Sequence, residues 1–231
     1  MWGKMKRKIL QCLICVIIIV GIVSTTQWRP VHDIEAAYEK VLSGCVRIQT
    51  DGYYGSGNVF DVTEEEIIVI TNKHVLQNFD ENSCVLFRDR MSVQAEVLGV
   101  SDYYDVGFLR IQRVDFKDTG ATYQCVCTDL SRYEKLERND AFFMVDVATD
   151  MDNPQMYMGE IIEKEKYLPD YHTEMLYGDA YARPGMSGAG LFDGYGNYIG
   201  ILSGGTDYVE IAAVGIDKIL EEYEKIKTRF T

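Results

Sequence analysis

Arg183-Pro184-Gly185-Met186-Ser187-Gly188-Ala189-Gly190-Leu191 sets a serine among glycines in a segment that must turn sharply. Such a turn leaves the Ser187 hydroxyl exposed and neighbouring backbone N–H groups free, as a nucleophile beside an oxyanion hole requires. A serine hydroxyl near neutral pH is a poor nucleophile, so the stretch carries chemistry only if a base and an orienting carboxylate reach it from elsewhere. Thr71-Asn72-Lys73-His74-Val75-Leu76 and Asp105-Val106-Gly107-Phe108-Leu109-Arg110 can supply them. Each of the three residues alone reads as a surface, cap or turn residue. Together, His74, Asp105 and Ser187 stand in the order base, orienter, nucleophile, at spacings of 31 and 82 residues.

The chain around these stretches reads as short strands. Cys45–Thr50, Gly57–Asp61, Ile67–Thr71, Cys84–Phe87, Val93–Val100 and Val106–Ile111 are brief β-branched or alternating runs separated by turn residues such as Asp51-Gly52. Six such strands suggest a small barrel. A second set follows the polar stretch Asp115–Gly120, at Tyr123–Thr128, Phe142–Val147, Met158–Lys166, Glu174–Gly178, Gly190–Phe192, Tyr198–Ser203 and Val209–Val214. Asp193-Gly194 and Gly196-Asn197 are hairpin turns. Asp33 to Val41 reads as a short helix with Asp33 as N-cap. The chain closes with a helical pattern over Ile216–Arg229, in which Ile216, Ile219, Leu220, Tyr223 and Ile226 recur at i, i+3, i+4 spacing. The expected architecture is all-β: lobe one at about 44–118, lobe two at about 121–214, and a C-terminal helix at 216–229.

At 231 residues and 47% hydrophobic, the chain can bury a core as one domain or as two small packed lobes. Its net charge is −13, and the first 23 residues hold four basic side chains and no acidic ones, which leaves −17 on the rest. A body so acidic is repelled by phosphate backbones, which argues against nucleic acid and against flat anionic membranes as partners. Lys4, Lys6, Arg7 and Lys8 precede an uncharged run from Ile9 to Val23 that Ser24-Thr25-Thr26 extends. A helical span needs about 17–25 residues, and no Ala-x-Ala cleavage site follows closely. The expectation is a cytoplasmic tail at 1–8, a single uncleaved transmembrane anchor at 9–26 and an extracytoplasmic domain at 27–231, held at the cell membrane.

Cys12 and Cys15 fall in the apolar run, leaving Cys45, Cys84, Cys125 and Cys127 in the body. Four cysteines allow three pairings, among which sequence does not choose. Cys125 and Cys127 lie two apart in an expected strand, with Cα atoms roughly 6.6 Å apart, near the upper limit for a disulfide. The bland expectation is buried free thiols. No Cys/His spacing suggests a metal site, and no cofactor is expected.

Several stretches together resemble a known family. Val46-Arg47-Ile48, Gly55-Ser56-Gly57-Asn58-Val59, Thr71-Asn72-Lys73-His74-Val75, Ala95-Glu96-Val97-Leu98-Gly99-Val100, Asp105-Val106-Gly107-Phe108-Leu109 and Pro184-Gly185-Met186-Ser187-Gly188 look like successive landmarks of trypsin-like serine peptidases, closest to the bacterial HtrA/DegP-like branch. The resemblance runs from about residue 34 to residue 226. It implies the chymotrypsin-like fold of two six-stranded antiparallel barrels with a cleft between them. It also implies a triad of Ser187 as nucleophile, His74 as base and Asp105 as orienter, with the backbone N–H groups of Gly185 and Ser187 as oxyanion hole. Tyr181, Ser203 and Gly204 would line the substrate pocket, and polypeptide would be the substrate.

Departures from the family carry information too. Met186 stands where digestive relatives have an aspartate that receives a new N-terminus after zymogen cleavage, so that activation route is closed. Val75 and Leu76 stand where those enzymes have an alanine and a disulfide cysteine. Only the terminal helix follows the second lobe, so the expectation is an HtrA-like member lacking a PDZ domain. The alternatives are a catalytically inactive member acting as a binding or signalling module, and an esterase-like enzyme sharing the triad.

Overall fold

The computed structural model describes residues 33–116, 123–206 and 209–229. Its first element is α1 (Ile34–Leu42), capped by Asp33, whose Oδ1 accepts the Ala36 N–H at 3.1 Å. Ala37 and Val41 are its buried residues. Seven antiparallel strands follow: β1 (Cys45–Gln49), β2 (Tyr54–Val62), β3 (Glu66–Thr71), β4 (Cys84–Leu86), β5 (Ser92–Val93), β6 (Glu96–Val100) and β7 (Gly107–Gln112). Their order in the sheet is β5-β4-β1-β2-β3-β7-β6. The inward side chains, among them Val46, Ile48, Val69 and Leu109, are fully buried.

This sheet corrects the expected first barrel. It is a seven-stranded half-barrel rather than a closed six-stranded one. A single strand over Val93–Val100 would have paired with β4 at one end and β7 at the other, closing the circle. Instead the ladder is interrupted at Gln94-Ala95: Val93 pairs with Val85 while Glu96 pairs with Arg110, so β5 and β6 become the two edges.

The second lobe does close. After the short α2 (Leu130–Tyr133) come β8 (Ala141–Asp146), β9 (Gln155–Leu168), β10 (Thr173–Ala180), β11 (Gly190–Asp193), β12 (Tyr198–Gly205) and β13 (Glu210–Gly215). They form a closed barrel in the order β10-β13-β12-β11-β8-β9, filled by Phe142, Phe143, Phe192 and Leu202 among others. The β11–β12 hairpin turns as its sequence suggested. Gly196 takes φ +75°, and the Asp193 carboxylate accepts the N–H groups of Tyr195 and Asn197.

Tyr123–Thr128 is not a strand, contrary to its reading. Only Cys127 makes an isolated bridge, to Asn197, because this segment runs over the surface rather than into the barrel. All four body cysteines are free, but only Cys45 is buried, while Cys125 and Cys127 are exposed. The expectation of buried thiols therefore holds for Cys45 alone.

The helix α3 (Ile216–Arg229) has the bounds its periodicity gave. It leaves β13 and returns across the first lobe, where the Tyr223 ring meets Phe60 and Phe108 at centroid distances of 5.2 and 5.0 Å. The chain from Asp33 onward thus packs as one unit, with α3 fastening the two sheets. The expected tail at 1–8 and anchor at 9–26 lie outside the described residues. Among the described residues, no helix is long and apolar enough to cross a membrane.

Candidate active site

His74 sits on the segment that leaves β3, and each of the three residues before it is tied down. The Thr71 hydroxyl donates to the Ser56 carbonyl at 2.7 Å, Asn72 Nδ2 to the Asp105 carbonyl at 2.8 Å, and Lys73 Nζ to the Ser101 carbonyl at 2.8 Å. Asn72 also reaches across the lobes to Ser203 Oγ at 3.4 Å. A short 3₁₀ turn, Val75–Asn78, then carries the chain away. The histidine is therefore presented by a rigid base, with its side chain 42% exposed.

Asp105 stands just before β7, at the end of a loop folded on Ser101. The Ser101 hydroxyl accepts the N–H groups of Tyr103 and Tyr104, and its backbone N–H donates to the Val106 carbonyl. The carboxylate grips His74 twice. Oδ1 accepts the His74 backbone N–H at 3.0 Å, and Oδ2 lies 2.7 Å from ring Nδ1. A carboxylate only accepts, so Nδ1 carries a hydrogen, and Nε2 is the basic nitrogen of the neutral ring. The Asp105 side chain is only 17% exposed, which strengthens this contact relative to one in open water.

Ser187 is shaped by two consecutive turns. Arg183-Pro184-Gly185-Met186 closes with the Met186 N–H on the Arg183 carbonyl at 3.1 Å, with proline second and Gly185 third at φ +94°. Met186-Ser187-Gly188-Ala189 closes the same way at 2.8 Å, with Gly188 third at φ +88°. Both follow the type II pattern, which needs positive φ at its third residue. The Gly188 N–H is taken by the Leu202 carbonyl at 2.9 Å, and Met186 is fully buried in the core. Pro184 has no N–H. Among the described residues the N–H groups of Arg183, Gly185 and Ser187 have no protein acceptor, and those of Gly185 and Ser187 lie on either side of the buried Met186.

The two halves meet at Gly55. A Cβ there would lie 2.9 Å from both Val75 methyls and 3.2 Å from the Ser187 carbonyl. That carbonyl accepts the Ser56 N–H at 2.7 Å, and Ser56 Oγ donates to the Gly185 carbonyl at 3.2 Å. The serine loop is thus stitched to β2 directly beside the segment that bears His74. Ser187 Oγ makes no hydrogen bond to the His74 ring in this structure, although its backbone is held alongside. Such bonds are often long without substrate and tighten in the reactive complex.

The expected pocket residues are dispersed. Tyr181 is 49% exposed with its ring tilted against that of Tyr157 at a centroid distance of 5.4 Å. Ser203 is buried under Asn72, and Gly204 faces the Tyr171 hydroxyl, 2.5 Å from where a Cβ would be. Gly205, one residue further, approaches Ala182 so closely that a Cβ would lie 2.9 Å from the Ala182 methyl. Three contributors escaped the sequence reading. Tyr171 comes from the β9–β10 connection, where burial, and next the charge of Asp105, raise its phenol pKa. Tyr54 lays its ring over Gly185, and Asp146 binds Arg183. Their partners are remote in sequence, and only the Asp between valines at 145–147 hinted at a buried charge.

Residues 55–201 match the family model of the trypsin-like peptidase domain. The chain belongs to that family. The matched span contains His74, Asp105 and Ser187 and ends before Ser203. No curated protein matches the chain. Trypsin-like peptidases are hydrolases of the serine class acting on polypeptides, and in this member the frame is a half-barrel, a closed barrel and a terminal helix.

Proposed function

We propose that the chain is a serine endopeptidase of the HtrA/DegP-like branch, fixed to the cell membrane by residues 9–26 with its peptidase domain outside. The observation that carries the activity is the double grip of Asp105 on His74, which fixes the ring with Nδ1 toward the carboxylate and makes Nε2 the nitrogen available as base in the neutral ring. In this reading Ser187 Oγ attacks the scissile carbonyl while Nε2 takes its proton. The carbonyl oxygen becomes an oxyanion against the N–H groups of Gly185 and Ser187, each such donor being worth about 3–4 kcal/mol in the transition state. Collapse expels the amine, which receives the proton from Nε2, and leaves an acyl-enzyme. Water then attacks with His74 again as base, releasing the acid and restoring Ser187.

The side chain preceding the cut is small and aliphatic in this reading. A Cβ on Gly205 would lie 2.9 Å from the Ala182 methyl, a close approach that leaves little room for a large side chain, while the Tyr181 ring is turned onto Tyr157. No carboxylate is assigned there to select arginine or lysine. The absent Ser187–His74 bond favours a second reading, a non-catalytic member that binds partners in the same cleft.

The test is incubation of the full chain with an unfolded polypeptide, with new N-termini mapped by mass spectrometry. The expected result is cuts after small aliphatic residues, abolished in Ser187→Ala. A folded chain that cuts nothing, or a Ser187→Ala variant that cuts equally, refutes the activity. Hydrolysis of small esters without any peptide cleavage would assign the chain to the esterase class instead.

A further inference from the structure

Asp146 is a buried charge tied to the serine's own loop. It ends β8, and its side chain is wholly removed from solvent. Oδ1 accepts the Thr149 N–H at 3.0 Å. Oδ2 accepts the Nε–H of Arg183 at 2.9 Å and lies 2.8 Å from its Nη2 as an ion pair. Arg183 is the first residue of the Pro184-Gly185 turn, and its carbonyl closes that turn on the Met186 N–H. One charge-assisted hydrogen bond and a second guanidinium nitrogen held close to the same fixed oxygen leave the arginine little freedom. Pro184 then fixes the next φ, so the direction of the Gly185 N–H follows from where Arg183 is held. On the other side of the turn, Met186 is sunk in the core and Ser56 Oγ holds the Gly185 carbonyl.

We propose that the Arg183–Asp146 pair is the device that presets the oxyanion turn, with Arg183 as a positioning residue. It anchors the turn to a wholly buried carboxylate through a guanidinium that stays partly exposed, in a chain where Met186 occupies the place of the aspartate that digestive relatives use. The inference rests on the peptidase reading and adds to it that the turn is complete in the uncleaved chain. The same contact also contributes to stability, so its test separates position from stability.

The full chain, Arg183→Met, Arg183→Lys and the double variant Arg183→Met/Asp146→Leu are compared by the rate of fluorophosphonate labelling and by hydrogen exchange of the peptide covering Arg183–Ala189. Removing Arg183 alone strands a buried carboxylate and lowers melting temperature, whereas the double variant replaces both charges with apolar groups and keeps the fold. The expected result is labelling at least about tenfold slower in both Met-containing variants, on the scale of a weakened oxyanion donor. Faster exchange in the 183–189 peptide accompanies it, with the β12 peptide unchanged, and Arg183→Lys regains part of the rate because it keeps a cation. A double variant that labels and exchanges as the unaltered chain does overturns the proposal. If no form labels, the peptidase reading fails, and the exchange data alone judge the turn: faster exchange without the pair upholds it, and equal exchange overturns it.

Discussion

Gly188 is the residue on which the serine loop closes against the first lobe. A Cβ there would stand 2.0 Å from the Ser56 carbonyl oxygen and 2.7 Å from Thr71 Oγ1, and its φ of +88° disfavours any side chain. The obstacle is backbone on the opposite strand, so it cannot rotate away. Gly188→Ala should cost at least about 2 kcal/mol, combining left-handed strain with displacement of the loop. A fall in melting temperature of roughly 4–8 °C is expected, together with loss of active-site labelling. A variant melting within a degree of the parent would mean that the two turns are not packed as described. At this scale much was legible in the sequence. His74 and Asp105 are singled out by residue type and order and the structure pairs them, and Gly185, expected to need a backbone free of a Cβ, takes φ +94°. Asn72, Tyr171 and Asp146 act through partners 33 to 131 residues away, or through cleft geometry, and no local pattern reveals that.

Among the elements, α3 joins the sheets through Tyr223. Its hydroxyl donates to Asp61 Oδ2 at 2.9 Å while its ring packs edge-on against Phe60. Tyr223→Phe keeps the ring and removes the bond to a partly exposed carboxylate, so a loss of about 1 kcal/mol is expected. Tyr223→Ala also removes the ring and should cost about 3–5 kcal/mol. Thermal unfolding of the two variants separates packing from hydrogen bonding, and equal losses would contradict this account of the helix. The helix was readable because five apolar residues recur at helical spacing. The half-barrel was not, because Val93–Val100 alternates well enough to pass for one strand. Which ladder each residue joins is set by β4 and β7, not by the segment itself. Tyr123–Thr128 misled for the complementary reason: its β-branched and aromatic content suits a strand, but no open ladder waits for it.

For the molecule as a whole, the buried core carries a signature in alkali. Burial raises the Cys45 thiol from 9.0 to about 12. Between those values the unfolded chain has lost this proton and the folded chain keeps it, so stability falls as pH rises through about 9 to 12 and is indifferent to this group below that window. The slope from one proton is at most about 1.4 kcal/mol per pH unit. Above pH 10 the phenols of Tyr133, Tyr198 and Tyr223, raised first by burial, add to it in the same direction. Denaturant unfolding of the chain and of Cys45→Ala at pH 8 and 9.7 checks this: the variant should lose less stability between the two. Identical losses would show that Cys45 is not sealed in the folded state. Whether Ser187 is an activated nucleophile is read out by fluorophosphonate labelling of the full chain beside Ser187→Ala and His74→Ala. The account predicts one label per chain, on Ser187, absent from both variants; a folded chain that takes no label, or a His74→Ala variant that labels at the parent's rate, would contradict it.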